Sequence, residues 1–291
     1  MSTPDMSDFG LVPPRQLDAS RLFYHYLQKE LLQNDIWLFQ MLTARLVAAL
    51  GIWLDPRIYE RLPIVVPYAL RDPTSRGNKA RGLPDIWGAP DEGGLFRDDN
   101  SLIKGLPRSL PIRAGASQLY RNGRIGRGFV AAHVWRQLKN GGLAARHRLT
   151  YSFVPNLVWL PADVAALTDR EGSFVQTYVQ ALSVKIYRHH PVIEPLQEIV
   201  SEVWDLLPLP DAIPEQGLPE IVELNFFEPT ERWLAGRKGK ISLVADALEK
   251  VSRAEPLTRE VISARYTEGL PAVKQRATRS LARELRRFTA A

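Results

Sequence analysis

A chain of 291 residues, 45% of them hydrophobic, is long enough for two modest domains or one large one around a sizeable core. It holds no cysteine, which excludes disulfides, thiolate zinc sites, iron–sulfur clusters and cysteine nucleophiles, and which suits a reducing, cytoplasmic setting. Its formal charge of +6 favours polyanionic partners; no apolar run reaches the roughly 18 residues of a membrane span, and the polar start Met1 to Gly10 does not read as a signal peptide, so no membrane partner is expected.

Residues Ser20 to Leu50 repeat apolar side chains at three-and-four spacing, from Leu22, Phe23 and Tyr26 to Leu42, Leu46 and Val47, and Gly51 ends the pattern. The spacing predicts helix, with Asn34-Asp35 dividing it into two, and residues 1–70 read as an N-terminal helical region. Arg71 to Asn100 is rich in Pro and Gly and reads as a long irregular loop ending in Asp98-Asp99-Asn100.

Strands are expected from Ser109 to Trp135. Tyr120 to Ile125 reads as a hairpin, because Asn122-Gly123 supplies the two positive φ angles of a tight turn. Gly126-Arg127-Gly128 then leads into Phe129 to Trp135. A second loop, Lys139 to Arg148, precedes the apolar run Leu149 to Leu160. Pro161 suits the first position of a helix through Leu167. A longer helix is predicted over Gly172 to His189, and Pro191 to Glu228 is proline-punctuated and acidic.

One stretch departs from the balanced composition of the rest. The 63 residues from Asn100 to Ala162 contain no Asp or Glu and ten Lys or Arg. Such a surface cannot neutralise itself and invites a polyanion, for which Arg124, Arg127 and Arg136 are candidate contacts.

Two phrases lie inside it: Ala131-Ala132-His133-Val134-Trp135 and Pro155-Asn156-Leu157-Val158-Trp159-Leu160-Pro161. Over Gly123 to Arg170 the chain resembles the HNH, or ββα-metal, nucleases in its order of strand, loop, strand and helix. The resemblance implies that His133, followed by Val and Trp, is the general base that activates water. It implies that Asn156, 23 residues later, holds the loop that orients that base. It further implies a divalent metal, Mg²⁺ or Mn²⁺, at the scissile phosphate, with Asp169 at a ligand spacing. Ala132 and Ala165 stand where the family commonly carries ligands, so Asp163, Asp98 and Asp99 are the candidate replacements. The residues themselves leave a second reading open: a strand histidine bonded to a backbone carbonyl, beside an asparagine that caps a helix.

The C-terminal residues Pro229 to Ala291 hold fourteen Lys or Arg against seven Asp or Glu. Gly236 to Lys240 reads as a flexible basic loop, with Lys238 and Lys240 suited to a phosphate backbone. Thr258 to Tyr266 and Ala272 to Phe288 read as two helices about the turn Glu268 to Pro271, a helix-turn-helix-like spacing. In the second helix Lys274, Gln275, Arg276, Thr278 and Arg279 lie off the apolar stripe and suit phosphate contact and base reading.

The expected class is α+β: N-terminal helices in residues 1–70, a central small-sheet ββα-metal-like unit in 71–228, and a basic helical DNA-binding element in 229–291. The function expected from the resemblance is a metal-dependent endonuclease acting on DNA. By analogy, a targeting element beside a cutting module fits a restriction or defence enzyme. Cutting both strands of a duplex calls for two sites, hence a homodimer. The alternative is a non-catalytic DNA- or RNA-binding protein with a structural central unit, since aromatics among arginines can stack single-stranded bases.

Overall fold

The computed structural model describes residues 36–68, 100–116, 118–168, 171–211, 217–256 and 275–289. Two compact units divide the chain, Met1–Thr43 and Ala44–Ala291. Of the first, the described residues are the opening turns of α1 (Ile36–Leu50), on which Trp37, Leu38 and Leu42 are exposed. The expected helix from Ser20 to Asp35 lies outside the described residues. The second unit carries the sheet.

The architecture is α+β. Helices surround a mixed sheet of five short strands: β1 (Ile52–Leu54), β2 (Ile112–Arg113), β3 (Phe129–His133), β4 (Leu157–Pro161) and β5 (Asn225–Phe227). Their order is β2-β5-β1-β4-β3. β1 runs parallel to β5 and antiparallel to β4, while β2 and β3 are antiparallel edges. β1, β5 and nearly all of β4 are buried, so β1 and β4 read as continuous apolar runs rather than alternating ones. Trp159 on β4 and Phe227 on β5 meet edge to face at 5.3 Å across one face. Beyond the sheet, Phe153, Trp135 and Tyr59 gather round Trp204 of α6 (Gln197–Leu206).

The central strand β1 lies in the N-terminal helical region, just past the Gly51 that ends the helical pattern, and three residues are too few to show a period. Asp55 follows it and caps α2 (Pro56–Arg61), accepting from the Arg57 N–H at 2.9 Å; α3 (Asn100–Gly105) precedes β2. Where β2 leads out, a Cβ on Gly115 would stand 2.0 Å from the carbonyl oxygen of Glu223, so only glycine lets that segment pass beside β5.

Several sequence expectations give way here. Asn122 does take a left-handed φ of 58°, but Gly123 does not, and no strands flank the turn. Instead the Asn122 N–H and the Gly123 carbonyl both bond Ile112. Pro161 is the last residue of β4 and caps α4 (Ala162–Ala165) rather than opening it. A strand end tolerates its missing N–H. The long helix α5 (Phe174–Tyr187) is as expected within a few residues and is capped by Ser173.

Gly236 to Lys240 is not a loop. It lies inside α7 (Glu231–Ser252), which opens at the Thr230 cap and buries Leu234, Ile241, Val244 and Leu248. Two helical glycines cost about 1 kcal/mol each, and that row of buried side chains outweighs them. α8 (Gln275–Thr289) lies antiparallel on α7. Gln275, at the start of α8, donates to the Ser252 carbonyl, while Arg286, near its far end, bonds Glu249, Asp246 and the Ser242 hydroxyl, earlier along α7. The described C-terminal pair is therefore α7 with α8; Thr258 to Tyr266 lies outside the described residues.

Candidate functional site

β3 and β4 form an antiparallel hairpin in which Phe129 faces Pro161 and His133 faces Leu157. The connection, residues 134–156, starts and ends at the same point: the Val134 N–H donates to the Asn156 carbonyl at 3.1 Å. α4 and then α5 follow, so the order is strand, loop, strand, helix. α5 closes over the end of the loop. Its Ser183 hydroxyl donates to the Pro155 carbonyl at 2.6 Å, and Gln180 donates to the Val134 carbonyl at 3.4 Å.

Asn156 is fully buried and uses both ends of its carboxamide on this loop. Oδ1 accepts from the Trp135 N–H at 2.8 Å, and Nδ2 donates to the Thr150 carbonyl at 2.9 Å. It therefore ties the residue two past His133 to the residue before Tyr151. His133 is half-buried at the end of β3, and its Nε2 lies 3.0 Å from the Tyr151 carbonyl oxygen. A carbonyl can only accept, so Nε2 carries the proton and Nδ1 the lone pair in the neutral ring. Around it the turn Thr150, Tyr151, Ser152 is buried and held: Thr150 Oγ1 donates to the Ala144 carbonyl, and Ser152 Oγ accepts from the Val66 N–H.

The structure brings His133 and Asn156 together and separates Asp163 from them. Asp163 sits two residues past Pro161, at the opposite end of the hairpin from His133. Four residues of strand between those ends span about 13 Å. Asp169, Asp98 and Asp99 lie outside the described residues. Among the described residues no group of three or more His, Asp or Glu side chains could hold a metal ion.

The cations divide into spent and free. Arg113 faces Asp55 at 3.5 Å and lies over the Phe226 ring, and Arg148 pairs with Glu284. Arg108, Arg121, Arg124, Arg127, Arg136 and Lys139 are exposed and form no ion pair among the described residues. Lys238 and Lys240 stand half-buried on α7. Burial lowers both of their pKa values, helped by the charge of Arg61 at Lys238 and of Arg237 at Lys240.

α8 is less free than its composition suggests. Thr278 is fully buried with its hydroxyl on the Gln275 carbonyl, so it cannot read a base. Arg286 and Arg287 are held by acids of α7 and by Glu198 of α6. Arg279 and Arg283 are exposed. Arg276 belongs to α8 but its side chain, like the whole of Lys274, lies outside the described residues.

Tyr151 was not legible as a site residue, because its contribution is a backbone oxygen that any side chain would leave in place. Gln180 and Ser183 carried no signal beyond the helix that bears them. No family model, curated protein or solved structure matches the chain.

Proposed function

We propose that this chain is an endonuclease hydrolysing phosphodiester bonds of DNA, with His133 as general base and Asn156 as the residue that positions it. The observation that carries the reading is the pairing of His133 Nε2 with the Tyr151 carbonyl at 3.0 Å, inside a loop that Asn156 closes from both sides. In this reading Nδ1 takes a proton from a water, the water oxygen attacks phosphorus, and the ester oxygen leaves. The Tyr151 carbonyl accepts from Nε2–H throughout and stabilises the imidazolium that forms.

A divalent cation, Mg²⁺ or Mn²⁺, belongs to this reading and would stabilise charge on the phosphate and leaving oxygen. Asp169, Asp98 and Asp99 remain its candidate ligands; the position of Asp163 at the far end of the hairpin argues against its taking part. The exposed Arg136 and Lys139 support a polyanionic substrate, because they lie on the connection that leaves β3 at His133. A homodimer follows if both strands of a duplex are cut.

The alternative is a non-catalytic DNA- or RNA-binding protein, and the same contact favours it from the other side: a half-buried imidazole needs a partner whatever its role. Incubation of supercoiled plasmid with Mg²⁺, Mn²⁺ or EDTA separates the two. Nicked or linear product with metal and none with EDTA supports the enzyme; retarded but intact plasmid in every lane supports the binder.

A further inference from the structure

The β3–β4 connection contains a second, smaller hairpin that hydrolysis does not need. The Ala144 N–H donates to the Arg136 carbonyl and the Leu138 N–H to the Gly142 carbonyl, both at 2.8 Å, with Gln137 and Leu143 directly opposite between them. Gly141 takes a φ of 79°, and Asn140 Oδ1 accepts from the Gly142 N–H at 3.0 Å, so the turn is fixed by its own residues. The root is pinned as well. The Trp135 indole donates to the Pro208 carbonyl, the Lys139 N–H donates to the Leu206 carbonyl, and Leu138 and Ala144 are buried. Directly opposite residues of an antiparallel pair project to one face. Here that face carries Gln137 and Leu143, both exposed, the leucine at 41%. Arg136 and Lys139 flank them, also exposed.

We propose that this hairpin enters the major groove of duplex DNA and that its Gln137–Leu143 face reads an A·T base pair. The orientation rests on the nuclease reading, which puts a backbone phosphate at His133. A two-stranded ribbon fits a groove about 12 Å wide and not one of about 6 Å. A glutamine carboxamide donates and accepts as the N7 and N6 edge of adenine requires, and an exposed isobutyl group is the apolar partner of the thymine methyl. Arg136 and Lys139 reach the phosphates that wall the groove. Gln137 follows His133 by four residues, at most about 14 Å of chain, so the base pair lies about one groove width from the phosphate at His133.

The test is fluorescence anisotropy of labelled 20-base-pair duplexes in EDTA, which reads binding without cleavage. Wild-type protein should bind a duplex library containing A·T pairs about tenfold more tightly than all-G·C duplexes. Deoxyuridine in place of thymidine, or 7-deazaadenine in place of adenine, should each lose much of that preference. Leu143→Ser should become indifferent to the first change and Gln137→Ala to the second. Lys139→Ala should weaken all duplexes alike and reduce the salt slope by about 0.9. Equal binding of every duplex by wild type, or displacement by netropsin with indifference to both major-groove changes, overturns the proposal. If cleavage with metal persists while these preferences are absent, the hairpin reading fails alone. If the preferences hold and no metal supports cleavage, the hairpin reading stands and the nuclease reading fails.

Discussion

The Tyr151 carbonyl oxygen lies 3.0 Å from Nε2 of His133, and the residue before Tyr151 is itself bonded to Asn156. One buried carboxamide thus sets the position of the oxygen that sets the tautomer of the histidine. A ring held in this way keeps one orientation, as a general base must. His133→Ala should therefore abolish plasmid cleavage by about 10² or more while leaving duplex affinity intact. Its effect on stability should stay within about 1 kcal/mol, since the ring is only partly buried. The measurements are cleavage rate, anisotropy in EDTA and a thermal melt. A variant that fails to fold, with wild type inactive in every metal, assigns His133 a structural role.

Asn156 makes a sharper demand. Asn156→Ala leaves the Trp135 N–H and the Thr150 carbonyl without their partner in a buried site, at a cost of about 3 kcal/mol. Asn156→Asp keeps the acceptor for Trp135 but sets a carboxylate oxygen against the Thr150 carbonyl, so it should be at least as harmful. Below its melting temperature the Ala variant should lose turnover more than duplex affinity. Denaturant titration and a kcat against KM comparison read both effects. Full turnover in Asn156→Ala would remove the loop from the catalytic account.

Some of this was readable in advance and some was not. His133 and Asn156 were legible because strand, loop, strand and helix each left a pattern, and the structure joins them on one hairpin. β1 and β5 were not legible, since three buried residues apiece leave no period to detect. The α7 glycines misled because local propensity argued for a loop. Tertiary burial of Leu234, Ile241 and Leu248 decided for helix instead. Thr278 misled for a related reason. It sits beside the apolar stripe of α8, and the stripe that α7 covers is wider than the aliphatic residues alone mark out.

Those glycines give a prediction of their own. A Cβ added at Gly236 or Gly239 would meet nothing within 4 Å, and neither residue has a positive φ. Gly236→Ala and Gly239→Ala should each stabilise the protein by about 0.4–1 kcal/mol, chiefly by restricting the unfolded chain. Thermal melts at fixed pH check this. If a phosphate backbone comes down on this part of α7, the same variants will bind duplex more weakly while melting higher.

Asp55 ties stability to pH. Burial pushes its pKa up, but hydrogen bonds from Arg57 and the charges of Arg57 and Arg113 outweigh burial and leave it below its ordinary value. A carboxylate lowered in this way contributes stability above its unfolded pKa of about 4, and loses it as pH falls through the folded value. Asp55→Asn should cost about 1–2 kcal/mol at neutral pH, since both arginines are half in water. The gap between wild type and variant should close below pH of about 4. A gap that persists unchanged into that range would show that the Asp55 charge is not what holds this corner.

The last prediction places the polyanion. Arg286 and Arg287 are committed to acids of neighbouring helices, so among its described side chains α8 offers Arg279 and Arg283 as exposed cations. Arg124 and Arg127 are exposed just ahead of β3, at the end of the hairpin opposite His133. The double reversal of Arg124 and Arg127 to Glu should weaken duplex binding more than the double reversal of Arg279 and Arg283. It should also flatten log K against log salt by about 2, from two lost phosphate contacts at about 0.9 each. Neither pair touches the core, so both variants should melt close to wild type. Equal losses would mean that the protein attracts DNA only as a diffuse positive field. A larger loss from the α8 pair would place the duplex on the C-terminal helices rather than along the β3–β4 hairpin.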